Sequence, residues 1–342
     1  MCIRDSCERM PGDEELVAAL AYGIDRLNTR YEGPPGGGER FLLLHRRRLW
    51  NEREGKWIGW ERKRGKLREL NRLLRGATDT TFIPIRGMPP AVPERVRYVI
   101  TLDADTRLPK GTAYRLVGAM AHPLNRPRFD PRKGRVVEGY AVMQPRITPS
   151  LPTGPGSTIY QRIVSGRGGV DPYAAAVSDV YQDLFEEGSY TGKGIYDVDT
   201  FEAALEGKVP ENALLSHDLF EGLFARAGLV TDVDLFEVFP SHSEVAARRQ
   251  HRWVRGDWQL RPWVLGRARA AAGRKPRTRI PAQGRWKMVD NLRRSLVAPS
   301  SFLLAVAAWT LPNVASLPWT GLFVGSLVVP ALIPIADGLI PQ

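Results

Sequence analysis

The feature that most constrains this chain is a run of 42 residues, Ser295 to Ala336, without one charged side chain. At a helical rise of about 1.5 Å per residue it reaches roughly 60 Å, twice the roughly 30 Å of a bilayer's hydrocarbon core. Two crossings fit, and Pro312-Asn313 with Pro318 beyond supplies a break between spans at about 295–312 and 318–336. A helical hairpin buried in a soluble domain is the competing reading, kept open by Pro299, Pro330 and Pro334. Directly ahead, from Arg261 to Arg294, eleven basic residues face Asp290 alone, so ten of the net +12 charges collect there. A nucleic-acid domain spreads its charge over a folded face, whereas this charge flanks an apolar tail. No nucleic-acid partner is expected. Basic flanks stay on the cytoplasmic side of a membrane, which places the domain ahead of the tail there too.

That domain is expected to fold, because the chain is 43% hydrophobic and 25% charged. Cys2 and Cys7 lie in an N-terminal stretch with neither an apolar core nor a cleavage pattern, which supports neither a signal peptide nor a disulfide framework. Residues 1–12 share no pattern with the rest of the chain and read as a non-native or disordered N-terminus. The catalytic domain is then 13–283, and 284–342 holds a juxtamembrane helix and the two spans. Residues 13–31 place Leu16, Ala19, Leu20, Gly23, Ile24 and Leu27 on one helical face. Phe41–Leu44 and Trp57–Trp60 read as short strands, about 61–74 as a basic helix, and Arg97–Leu102 as a buried strand running into Asp103-Ala104-Asp105. Such alternation predicts an α/β fold with a largely parallel sheet and a ligand crevice beyond the strand ends.

Two carboxylates one residue apart at a strand end repel unless a cation neutralises them, and hard oxygen ligands suit Mg²⁺ or Mn²⁺. The competing reading is a plain turn, since Asp is common there. A haloacid-dehalogenase-type phosphohydrolase also begins with a DxD after an apolar strand, but its hydroxyl position is missed by one place at Thr106-Arg107. A phosphate-cradling loop at 188–196 fails as well, with three residues between Gly188 and Gly192 where four are needed. Downstream, Asp218 in LLSHDLFEG is either a general base at a helix start or an N-cap. Arg252, Trp253 and Trp258 lie in RQHRWVRGDWQL, where tryptophans stack on sugars and arginines bind phosphates, or a helix simply packs.

The order of these motifs resembles the processive membrane glycosyltransferases of GT-A fold. GWERKRGKLRELNRLLRG (59–76), YVITLDADTRLP (98–109), YTGKGIYDV (190–198), LLSHDLFEG (214–222) and RQHRWVRGDWQL (249–260) are similar to the glycosyltransferase domain of cyclic β-1,2-glucan synthases. The resemblance implies a GT-A-like, Rossmann-like domain that moves glucose from UDP-glucose to a growing β-1,2-glucan with inversion. Another membrane β-glucan synthase, cellulose-like or osmoregulated, is the alternative. In this resemblance Asp103 and Asp105 hold Mg²⁺ or Mn²⁺, and Lys63 or Lys66 with Asn71 contacts nucleotide, a solvated basic helix being the equal alternative. Gln144 lies beside the donor sugar, and Arg252 and Trp253 sit over the pyrophosphate. Tyr190, Gly192, Lys193, Gly194 and Tyr196, with Trp258, line the acceptor, and Asp218 takes the proton of the acceptor hydroxyl. Arg249 stands where the wider family has Gln, with Gln250 one residue late. Nothing before Phe41 reads as the first GT-A strand, so the expectation is an internal piece of a larger bacterial inner-membrane protein, its catalytic side cytoplasmic, that alone binds UDP-glucose poorly.

Overall fold

A computed structural model describes residues 7–35, 37–150, 157–164, 180–209, 211–214, 218–267, 280–311 and 316–339. Cys2, the expected break at Pro312-Asn313, and Arg269, Arg274, Lys275, Arg277 and Arg279 of the basic flank lie outside the described residues.

Helix α1 (Asp13–Arg30) forms where its periodicity puts it, with Asp13, Glu14 and Glu15 in the first turn. Its expected apolar face is not buried, however: Leu16, Leu20 and Leu27 are exposed and Ala21 alone is inside. Polar ties hold it instead. Arg48 donates to Asp13 at 2.6 Å, and Asn28 exchanges bonds of 2.9 and 2.8 Å with the backbone of Phe41. The strand expected at Phe41–Leu44 begins later, at His45–Arg46, and pairs with Phe82–Ile83. Lys56–Ile58 does form, antiparallel to Leu49–Asn51.

Helix α2 (Arg62–Leu73) is basic along its exposed side and is seated by one buried acid, Glu69. Glu69 accepts from Arg46 at 2.7 Å and from the Thr81 amide and hydroxyl at 2.8 and 2.6 Å. Three donors satisfy a carboxylate that burial would otherwise penalise heavily.

The central sheet has five strands: β1 (Tyr98–Thr101), β2 (Thr106–Arg107), β3 (Val142–Pro149), β4 (Gly194–Asp197) and β5 (Ala227–Glu237), in the spatial order β1-β4-β3-β5-β2. β3 and β5 run parallel, while β1–β4, β4–β3 and β5–β2 are antiparallel, so the sheet is mixed and the expectation of a largely parallel one is corrected. Alternation along the sequence fixes which elements occur but not the direction in which each strand enters the sheet. The reversal matters for the site. Antiparallel pairing of Thr101 with Gly194 sets the end of β1 beside the start of β4, whereas parallel strands would separate those ends. Among the described residues β1 and β2 are the edges, and nothing ahead of Phe41 joins the sheet.

Helices α3 (Thr112–Ala121), α4 (Val198–Leu205) and α5 (Asp218–Ala225) bury their apolar sides on this sheet through Leu116, Met120, Phe201, Phe220 and Phe224. Trp263 closes the core edge-on to Phe220, ring centroids 5.5 Å apart. Helix α6 (Ser243–Gln259) follows, then α7 (Ala282–Thr310), whose first half docks on the domain through Gly284 and Met288. There Lys287 donates to the Glu187 and Gly188 carbonyls at 2.9 and 2.8 Å.

Helix α8 (Ser316–Leu339) returns along α7, tied by Trp309 donating to Thr320 at 2.8 Å. The two helices fall where two spans were expected, yet no helix among the described residues is long and apolar enough to cross a membrane. For α7 the reason is geometric. It is one helix through Pro299, still charged at Arg293 and Arg294, and its uncharged remainder to Thr310 extends only about 24 Å.

Candidate functional site

The site is built where β1 ends. Asp103 turns the chain, its carbonyl accepting from the Thr106 amide at 3.0 Å, and both Asp103 and Asp105 keep partly exposed side chains. Lys63, in the first turn of α2, donates to Asp103 at 2.6 Å. Lys193 approaches the other oxygen of Asp103 at 3.6 Å and donates to Glu237, the last residue of β5, at 2.8 Å. Arg249 of α6 pairs with Glu237, lies 3.7 Å from Asp105, and stacks over Trp253 with 5.2 Å to the ring centroid. Three elements thus send cations to three carboxylates in one crevice.

The electrostatics follow from this pairing. Burial pushes Asp103 up, but Lys63 and Lys193 outweigh it and hold the carboxyl below its ordinary range. Burial likewise opposes charge on Glu237, and Lys193 and Arg249 again prevail. Lys193 is raised in turn, burial being overcome by Glu237 and Asp103. Burial and the charges of Arg249 and Arg62 lower Arg252, while Asp103 and Asp105 act on it in the opposite sense.

The loop before β4 joins this cluster to Asp218. Gly192 has φ +84°, and a Cβ built there would lie 2.7 to 2.9 Å from the Asp218 carboxylate, so the acid sits directly on the glycine backbone. Only glycine permits that contact in that conformation. Thr101 donates to the carbonyls of Gly192 and Gly194 at 3.3 and 3.4 Å, and Gln144 accepts from the amide and hydroxyl of Thr191 at 2.9 and 3.0 Å. Asp218 opens α5, so the core packing of Phe220 and Phe224 fixes its position over the loop. His217 and Ser216 of the same motif lie outside the described residues.

Asp103, Asp105, Lys63, Lys193, Gly192, Asp218, Arg252 and Trp253 therefore come together. Lys66 lies one turn further along α2, where burial and then the charges of Arg46 and Lys63 lower it, with Asp103 acting in the opposite sense. Other expected contact residues are placed inside. Gln144 is wholly buried and spent on Thr191 and the Pro145 carbonyl. Asn71, 1% exposed, accepts from the Tyr196 hydroxyl and donates to Glu202, both at 2.7 Å, so Asn71 and Tyr196 lock α2 to the sheet rather than line a crevice. Tyr190 is also a core residue. Trp258 donates to Ser295 at 3.1 Å, docking α6 on α7 away from the carboxylates.

Three residues near the crevice had no role assigned from the sequence. Glu237 ends a strand, and nothing local marks it; Arg249 is one helical turn before Arg252, a spacing that places both on one face. Glu221 is buried one turn after Asp218. Among the described residues no group of three or more His, Cys, Asp or Glu could hold a metal by itself. Asp103 and Asp105 keep partly exposed carboxylates beside Lys63, Lys193 and Arg249, and a Mg²⁺ or Mn²⁺ shared with a phosphate calls for only one or two protein carboxylates.

Fold and site together define a mixed α/β domain whose crevice sets cations among carboxylates, with a separate carboxylate held on a glycine loop. No model of a known protein family matches the chain. Over 98% of its length the chain is 48% identical to part of the cyclic beta-(1,2)-glucan synthase NdvB of Rhizobium meliloti (strain 1021), and it spans 11% of that protein.

Proposed function

We propose that this chain is an inverting glucosyltransferase domain that extends a β-1,2-glucan from UDP-glucose, within a larger protein of the inner membrane. The observation that carries the reading is the convergence of Asp103, Asp105, Lys193 and Asp218 on one crevice, with Gly192 as the bridge. Scattered carboxylates would have removed it. The similarity to a glucan synthase supports the same class of reaction.

The chemistry assigns each part. An acceptor hydroxyl attacks the anomeric carbon of the donor, forming the new C–O bond as the bond to the diphosphate oxygen breaks, and the electron pair leaves with UDP. Asp218 receives the hydroxyl proton. Lys63, Lys193 and Arg252 balance the charge that develops on the departing diphosphate, as preorganised cations do best in a partly dry site. Lys193 thereby moves from the acceptor side to the diphosphate side. A divalent cation held by Asp103 and Asp105 would neutralise the diphosphate further. The exposed apolar side chains of α7 and α8, among them Phe302, Leu303, Trp309, Leu317 and Leu322, support a membrane setting, and the basic run ahead of the apolar tail puts the crevice on the cytoplasmic side.

Asp218→Asn in the full-length protein tests the reading. UDP-glucose binding is expected to persist while turnover falls by about 10² to 10⁴. Near-normal turnover refutes it, and linkage analysis of the product separates a β-1,2-glucan from the cellulose-like alternative.

A further inference from the structure

With Asp218 as proton acceptor, a second carboxyl on the same helix has no assigned task. Glu221 comes three residues after Asp218 in α5, a spacing that puts their Cβ atoms about 5 to 6 Å apart on one face. Asp218 keeps contact with the crevice over Gly192, whereas Glu221 is 4% exposed and Tyr190 is buried beside them. The cations whose field reaches Glu221 are committed elsewhere: Arg64 pairs with Glu61 at 3.1 Å and Lys63 with Asp103 at 2.6 Å. Glu202 adds further negative charge from α4. Two adjacent carboxylates in such a place do not both ionise readily.

We propose that Glu221 is the positioning residue for Asp218: Glu221, buried without a committed cation one helical turn from Asp218, keeps its proton in the resting enzyme, leaving a single negative charge at the crevice to meet the acceptor hydroxyl. This rests on the reading of Asp218 as the base. Burial, and after it the charge of Asp218, push Glu221 up to about 8, in keeping with that proton count. Transfer from the acceptor adds a second proton at Asp218, which returns to water once the product has moved on. Loss of the Glu221 proton at higher pH sets two charges against each other and drives Asp218 from its seat on Gly192.

The test is the pH dependence of turnover by the full-length protein in membranes at saturating UDP-glucose. Wild-type kcat should fall about tenfold between pH 7 and pH 9, tracking a group near 8. Glu221→Gln, which cannot ionise, should keep the acid limb and lose this alkaline limb, so its ratio of kcat at pH 9 to pH 7 rises about tenfold over wild type. Glu221→Leu should lower kcat with the donor KM unmoved. An alkaline limb unchanged in Glu221→Gln overturns the proposal, because a merely structural glutamate would give that result. Should the variants fail to fold, wild type alone decides: its infrared band for a protonated carboxyl must disappear through about pH 8, and absence of that band overturns the proposal. Asp218→Asn in the same preparation separates the two readings. Retained turnover there sinks the base itself, whereas lost turnover with an unaltered limb in Glu221→Gln sinks only the role of Glu221.

Discussion

Replacing Glu221 by glutamine should stabilise the fold, and by an amount that grows with pH. Glu221 is pushed from an ordinary 4.5 to about 8 by burial and then by Asp218. A carboxyl raised in the folded state contributes stability that is complete below its unfolded value and disappears as pH rises through the folded one. At one unit per 1.36 kcal/mol, the interval from 4.5 to pH 7 corresponds to a loss of about 3 kcal/mol, an upper bound because water penetration relieves part of it. That is a large share of a typical margin of about 5 to 15 kcal/mol. Asp103 and Glu237 have depressed values, so their contributions are lost only as pH falls below the ordinary carboxylate range and leave the interval from 5 to 9 clear. Urea unfolding of wild type and Glu221→Gln at pH 5, 7 and 9 gives the comparison. The midpoints should lie close together at pH 5 and diverge at 7 and 9, with wild type falling. Parallel midpoints across the range would refute the argument that Glu221 is held protonated by its surroundings.

Gly192→Ala should cost about 1 to 2 kcal/mol for the left-handed backbone alone, and its Cβ would displace the Asp218 carboxylate, so turnover should drop more than donor affinity; equal losses in a kcat and KM comparison would contradict the contact. Glu69→Leu leaves Arg46 buried without its partner and should destabilise by about 3 to 5 kcal/mol in denaturant titration. Asp105→Ala should weaken nucleotide binding and remove its dependence on Mn²⁺, whereas equal activity in EDTA and in Mn²⁺ would end the metal assignment. A reporter fused within 312–317 should appear on the periplasmic side in the full-length protein, and a cytoplasmic signal would return the apolar tail to a packed hairpin.

The candidate residues that the crevice brings together were legible one motif at a time. DAD after an apolar strand, LLSHDLFEG at a helix start and Arg252-Trp253 on a basic helix are local patterns, and local patterns survive without knowledge of the fold, although that strand proves a half-buried edge rather than the buried one expected. The periodicity of α1 and α2 was legible for the same reason. Which side chains face a ligand was not. Tyr196, Gln144 and Asn71 carry the same polar groups whether they line a crevice or bolt a core, and only the packing of α2 and the Thr191 loop on the sheet puts all three inside.

By itself the sequence determined most of the helices, the concentration of positive charge before the apolar tail, and the choice of Asp103, Asp105 and Asp218 as candidate acids, though not Glu221 or Glu237. The tertiary structure alone decided strand direction, and with it the approach of Lys193 to Asp103. It also decided the seat of Asp218 on Gly192 and the burial of Glu221 beside it. The physical reason is range. Helical periodicity and turn preference act over a few residues, whereas ion pairing and desolvation act between residues that the chain separates by dozens and only packing brings within a few ångströms.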